Sequence, residues 1–163
     1  ILISLVGPNY SPMMARMTVT AETKRMIGIL KQARSEARAR GATVTVRRDA
    51  GSDWSSEVLV YESTVVAGNA DYTPAGAAAT VGDDLIGEHA ATQRTVTIND
   101  DATANGQFIS FSLQGWLSTS ETREILIAVC SPALPDAQGM YIEVNRVGKI
   151  RERSIDGDAR GCL

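Results

Sequence analysis

The densest chemistry in the sequence is a comb of cations near its end. Arg146, Lys149, Arg151 and Arg153 fall within eight positions, with Glu152 between them and Glu143 just before. On an extended strand, residues two apart share a face, so Lys149, Arg151 and Arg153 would project together while Ile150 points away. Three cations at that spacing would suit successive phosphates of a nucleic acid. The same pattern also describes a solvated strand face, or an edge strand kept from association by charge. The second reading is the simpler one, because the chain as a whole carries a net charge of -3 and has no general attraction for nucleic acid or anionic lipid.

Nucleophile, base and metal chemistry find no such concentration. His89 is the one histidine, set in a stretch rich in Ala and Gly. No GxSxG, GxxxxGK[ST] or GxGxxG pattern accompanies it, so no catalytic residue is assigned. The acid pairs Asp83-Asp84 and Asp100-Asp101 lack the alternating ligands of a Ca²⁺ loop. Asn99, Asp100 and Asp101 stand where Asx-turns are expected. Neither a metal nor a cofactor is predicted.

Two cysteines remain, Cys130 and Cys162, without a CxxC or a zinc-ligand grouping. As isolated thiols they would be buried and unpaired. As a pair they would pin a polar tail, DGDARG (156–161), that would otherwise fray. Closing a loop of that length contributes about 3–4 kcal/mol in the chain-entropy model, and it implies an oxidising compartment such as a periplasm.

The elements that must position these groups come in two kinds. From about 13 to 40 the apolar residues Val19, Met26, Ile29 or Leu30, Ala33 and Ala37 recur at spacings of three and four, one face of a helix. Lys24, Arg25, Lys31, Arg34, Glu36, Arg38 and Arg40 decorate the rest, and Gly41 is the stop. From 42 onward the period becomes two. ATVTVRR (42–48), EVLVYES (57–63), RTVTI (94–98), QFISFSL (107–113), WLS (116–118), REILIAVC (123–130), MYIEVNR (140–146) and KIRERSI (149–155) all suit strands. Gln114-Gly115 and Val147-Gly148 sit at hairpin turns. The segment 66–91 reads as a long irregular loop with room for one short strand. One long helix followed by strands without intervening helices is an α+β domain with an antiparallel sheet, not a parallel βαβ fold. A core of ordinary size is available, since 44% of the 163 residues are hydrophobic.

Several of these stretches resemble the type IV pilin-like proteins, specifically the GspH/FimT group of minor pilins and pseudopilins. LKQARSEARARGATVTV (30–46) looks like that group's helix end running into its first strand. FSLQGWL (111–117), IAVC (127–130) and YIEVNRVGKIR (141–151) are similar to its later segments. The late Cys130 and Cys162 resemble the C-terminal disulfide of its FimU-like branch.

The resemblance implies a helical segment 1–41 that packs, within one domain, on a β-rich head, 42–163. It implies a non-enzymatic subunit of a type IV pilus, priming assembly or sitting at the tip beside other minor pilins and the major pilin. Its membership also covers pseudopilins of type II secretion. The implied location is the inner membrane with a periplasmic head, then the pilus surface. In this group an apolar N-terminal helix anchors the subunit, so Ile1–Val6 is expected to be the last part of that anchor, loosened at Pro8. Contacts with partners are expected on the 66–91 loop and on the basic face of the helix. Some relatives bind DNA through a Gly-Arg-x-Arg strand. The matching residues here are Gly148-Lys149-Ile150-Arg151, where lysine keeps the charge but loses arginine's planar grip on phosphate.

Overall fold

The computed structural model describes residues 10–48, 53–64, 83–92, 96–100, 108–118, 124–135, 138–156 and 162. Its first element is α1 (Tyr10–Arg40), about 46 Å long at 1.5 Å per residue. The buried stripe Ala15, Val19, Met26, Ile29, Leu30, Ala33 and Ala37 follows the spacing legible in the sequence. The helix ends at Gly41, whose φ of +63° is a conformation that side chains with a Cβ avoid. The Ala42 N–H then turns back to the Ala37 carbonyl at 3.2 Å, the closing bond of a Schellman cap. Arg38 and Arg40 lie in the last turn, where they complement the helix dipole.

Eight strands follow: β1 (Val44–Arg48), β2 (Val58–Glu62), β3 (Asp84–His89), β4 (Thr97–Asp100), β5 (Phe108–Phe111), β6 (Ile125–Cys130), β7 (Met140–Val144) and β8 (Ile150–Ser154). They form two four-stranded sheets, ordered β3-β2-β1-β5 and β4-β6-β7-β8. Every pairing is antiparallel. Together with α1 this is the α+β arrangement that the sequence predicts.

Alternation along the strands builds one core beneath the helix. Val44, Val46, Val58, Val60, Ile109 and Phe111 come from the first sheet, and Ile125, Ile127, Val129, Ile142 and Val144 from the second. Strand β6 is buried along all six residues. Its other face, Ala128 and Cys130, joins Tyr141, Ile155 and Cys162 in a smaller cluster on the outer side. Trp54 ties the β1–β2 connection to β4. Its N–H donates to the Ile98 carbonyl at 2.8 Å, and its buried indole donates to Asp100 Oδ2 at 2.9 Å.

The structure corrects two local expectations and locates a third. Asn99 and Asp100 lie within β4 rather than an Asx-turn, because Asp100 is recruited to the Trp54 indole; Asp101 lies outside the described residues. WLS makes one isolated bridge, Leu117 to Phe111, held by the Ser112 N–H to the Trp116 carbonyl and the Ser118 N–H to the Ser110 carbonyl, while the Leu117 N–H turns to the Arg146 carbonyl. The short strand allowed for in the 66–91 segment is β3, six residues long; the earlier part of the segment, like Ile1–Val6 and Pro8, lies outside the described residues.

Candidate functional site

The helix end ARSEARAR (33–40) organises the head. Ala33 and Ala37 are fully buried, and their small side chains let the helix lie close on the sheets. The arginines between them reach sideways in two directions. Arg34 Nε donates to the Gly115 carbonyl at 2.9 Å and its Nη2 to the Val147 carbonyl at 3.2 Å. One guanidinium therefore joins the helix to a turn after β5 and to the β7–β8 turn. A planar fork suits two carbonyls at once, which a lysine would not match. On the other flank Arg40 meets Glu36 at 3.0 Å, Glu62 at 3.3 Å and Asp84 at 2.8 Å, linking the helix to β2 and β3. Those carboxylates hold its pKa above the ordinary arginine value, first through Glu36 and then Asp84.

The two turns held by Arg34 are in close contact. Gly148 has a φ of +73°. A Cβ there would overlap the Gly115 carbonyl oxygen and approach Arg34 Nε to 2.9 Å. The Leu117 N–H donates to the Arg146 carbonyl at 3.1 Å. Within the hairpin, the Asn145 side chain accepts from the Lys149 N–H at 2.8 Å.

The cation comb is dispersed by this geometry. Arg146 and Lys149 are exposed in the turn, and only Arg151 and Arg153 lie within β8. Arg153 stands 5.3 Å from the centre of the Tyr141 ring, a cation–π distance. Arg151 is in register with Glu143. Glu143 shares a hydrogen bond with Glu124, which raises the Glu124 pKa; burial adds to that rise, while Arg153 and Arg151 oppose it. Carboxylates thus stand among the cations, as on a solvated strand face. The basic face of α1 is reduced as well. Arg25 pairs with the buried Glu22 at 2.7 Å, which leaves Lys24 and Lys31 beside a shallow groove of about 440 Å³ along Ile150–Glu152.

The remaining sequence candidates have structural work. Asp83 Oδ1 accepts from the Thr64 N–H at 2.8 Å and its hydroxyl at 3.1 Å. Among the described residues no group of three His, Cys, Asp or Glu side chains would hold a metal ion. His89 is half-buried on β3, and desolvation, then the charge of Arg25, lowers its pKa. Cys130 and Cys162 are joined, with Cα atoms 6.0 Å apart, which brings the end of the chain onto Tyr141 and Ile155.

The family model described as Type II transport protein GspH matches residues 22–148. The chain belongs to the GspH family. The match spans the ARSEARAR helix end, both Arg34-bound turns and all strands but β8. Two crystal structures of the type IV minor pilin FimU of Pseudomonas aeruginosa share the fold. One has a TM-score of 0.67 at 17% identity, covering 91% of this chain and 97% of that one. The other has 0.64 at 17%, covering 88% and 99%. The minor pseudopilin EpsH from the type 2 secretion system of Vibrio cholerae gives 0.49 at 11% identity, covering 86% and 96%. No curated protein sequence matches the chain. As a GspH-family protein the chain has the pilin-like fold seen in FimU.

In the sequence, Arg34 and Arg40 are indistinguishable from the cations that decorate the helix surface. The signal that would have found them is the short spacing of Ala33 and Ala37: arginines beside buried alanines lie close enough to the sheets to bridge them.

Proposed function

We propose that this chain is a non-enzymatic minor pilin of a type IV pilus, priming assembly or sitting at the tip through contacts with other minor pilins. One observation carries the reading. Over residues 10–18 of α1 only Ala15 is buried, and Tyr10, Met13, Met14 and Met17 are 65%, 55%, 43% and 52% exposed. A helix that leaves four large apolar side chains unused by its own head has surface to give to a neighbour. Methionines suit that role, since their flexible side chains adapt to the surface they meet. Before assembly the head would face the periplasm while the N-terminal helix is held at the inner membrane. Afterwards the subunit would be part of the pilus. Among the described residues no helix is long and apolar enough to cross a membrane.

The test is complementation of a deletion strain with the double variant Met13→Ser/Met17→Ser. The expected result is a head that melts as the unchanged protein does but restores few or no pili. Full piliation would sink the reading. Loss of protein secretion in place of pili would assign the chain to a type II secretion pseudopilus instead.

A further inference from the structure

A second group of exposed apolar side chains lies near the other end of the helix. Leu113, Trp116 and Val147 are 50%, 55% and 50% exposed. They belong to the two turns that Arg34 clamps, and Arg34 is 24 residues beyond Tyr10, about 36 Å along the helix axis. The turns meet backbone to backbone at Gly115 and Gly148, so the three side chains share a rigid platform. An exposed tryptophan on a fixed backbone is a strong anchor, because little ordering cost remains to be met on binding.

The surroundings of the platform are basic. The Arg38 stem lies against Gly115, Arg34 lies beneath it, and Arg146 and Lys149 occupy the second turn. Among the described residues none of these four cations forms an ion pair. The turn segments SLQGWLS (112–118) and NRVGK (145–149) contain no acid. Glu36, the nearest acid in sequence to Arg34 and Arg38, pairs with Arg40. Four cations that form no ion pair among the described residues, around an apolar centre on a chain of net charge -3, form a local field opposite to that of the whole molecule.

We infer that the Leu113–Trp116–Val147 platform is a docking surface for an acidic protein partner, one that presents an apolar side chain flanked by carboxylates. Charge complementarity selects that occupant. The apolar end of a second copy does not fit, since Tyr10–Met17 carries Arg16 and no acid. The surface goes beyond the subunit reading, and its test does not require a filament.

Nuclear magnetic resonance on the ¹⁵N-labelled chain provides that test, because two indole N–H signals report separately. Trp54 is buried and bonded to Asp100, which makes it the internal reference, and Trp116 is the probe. A short peptide with one leucine flanked by glutamates is expected to move the Trp116 signal and the amides of 113–117 and 145–149, leaving Trp54 still. Its glutamine counterpart should bind about tenfold more weakly or worse. The Arg146→Glu/Lys149→Glu variant, its fold checked by the unmoved Trp54 signal, should lose the glutamate peptide and gain its lysine counterpart. No shift with the glutamate peptide, or equal shifts with both peptides, would overturn the proposal. So would tighter binding of a single-stranded oligonucleotide or of phosphatidylglycerol vesicles, which would assign the surface to nucleic acid or to lipid.

Discussion

The two halves of α1 are continuous in backbone and opposite in what they do. From Tyr10 to Thr18 the helix buries one side chain and exposes its methionines. From Val19 to Arg40 it buries a position every three or four residues and sends Arg34 and Arg40 into both sheets. The second half is part of the head in every physical sense; the first takes almost nothing from it. Stability is thereby concentrated in the second half of one helix, so a change there should lower it and a change in the first half should spare it.

The largest break in that division is expected at Gly148. Replacing it with Ala adds a Cβ at a positive φ and drives it into the Gly115 carbonyl, a backbone atom that cannot swing aside. Strain and overlap together should cost about 4 kcal/mol. For a chain of this size that is a fall of about 10 °C in melting temperature. A loss below about 1 kcal/mol in denaturant titration would show that the two turns are not a rigid unit.

Next comes the staple on the outer face of β6. The pair Cys130→Ser/Cys162→Ser opens a loop with a sequence separation of 32. It should lower stability by about 3–4 kcal/mol, with the apolar surface of Tyr141 and Ile155 losing its cover. If the helix halves are independent, this loss leaves the exposure of Met13 and Met17 unchanged, which oxidation of those methionines by peroxide would report.

Arg34→Ala is expected to cost about 2 kcal/mol, the value of charged hydrogen bonds to two backbone carbonyls. Arg34→Lys should recover less than half of it, because an ammonium cannot reach both carbonyls in one plane. Recovery of full stability by lysine would mean that charge, not the fork, holds the turns.

What the sequence disclosed follows the same division. Periodicity exposed the helix stripe and the strands because burial repeats at fixed intervals, and Val19, Met26, Ala33 and Ala37 lie where spacing put them. Gly115 and Gly148 were legible as turns for the same local reason. Their contact with each other was not, since it joins positions 33 apart in sequence through backbone atoms that carry no residue code. Without that contact nothing in the sequence separates Arg34 from a solvated arginine. The cation comb was legible as a pattern but not as a field. Glu124 and Glu143 enter it through the pairing of β6, β7 and β8, and Arg153 turns to Tyr141 across the same ladder. Trp54 and Asp100, too, meet only because the β1–β2 connection lies on β4.

The smallest expected effect lies within the second half, where His89 of β3 feels the charge of Arg25. Desolvation first, and Arg25 second, hold its pKa below the ordinary 6.5. The unfolded chain therefore binds the proton more readily than the folded one. Stability from this residue is present above pH 6.5 and falls as the pH drops from there through the lowered folded value, after which it is constant. The half-exposed position keeps the effect small, so it is best read as a difference between two pH profiles of melting temperature. His89→Gln should flatten the profile in that window. Arg25→Ala should shift the fall to higher pH, toward the ordinary histidine value, by removing the opposing charge. A His89→Gln profile that still falls in step with the unchanged protein would place the titrating group elsewhere and leave the contact of β3 with the second half without this electrostatic link.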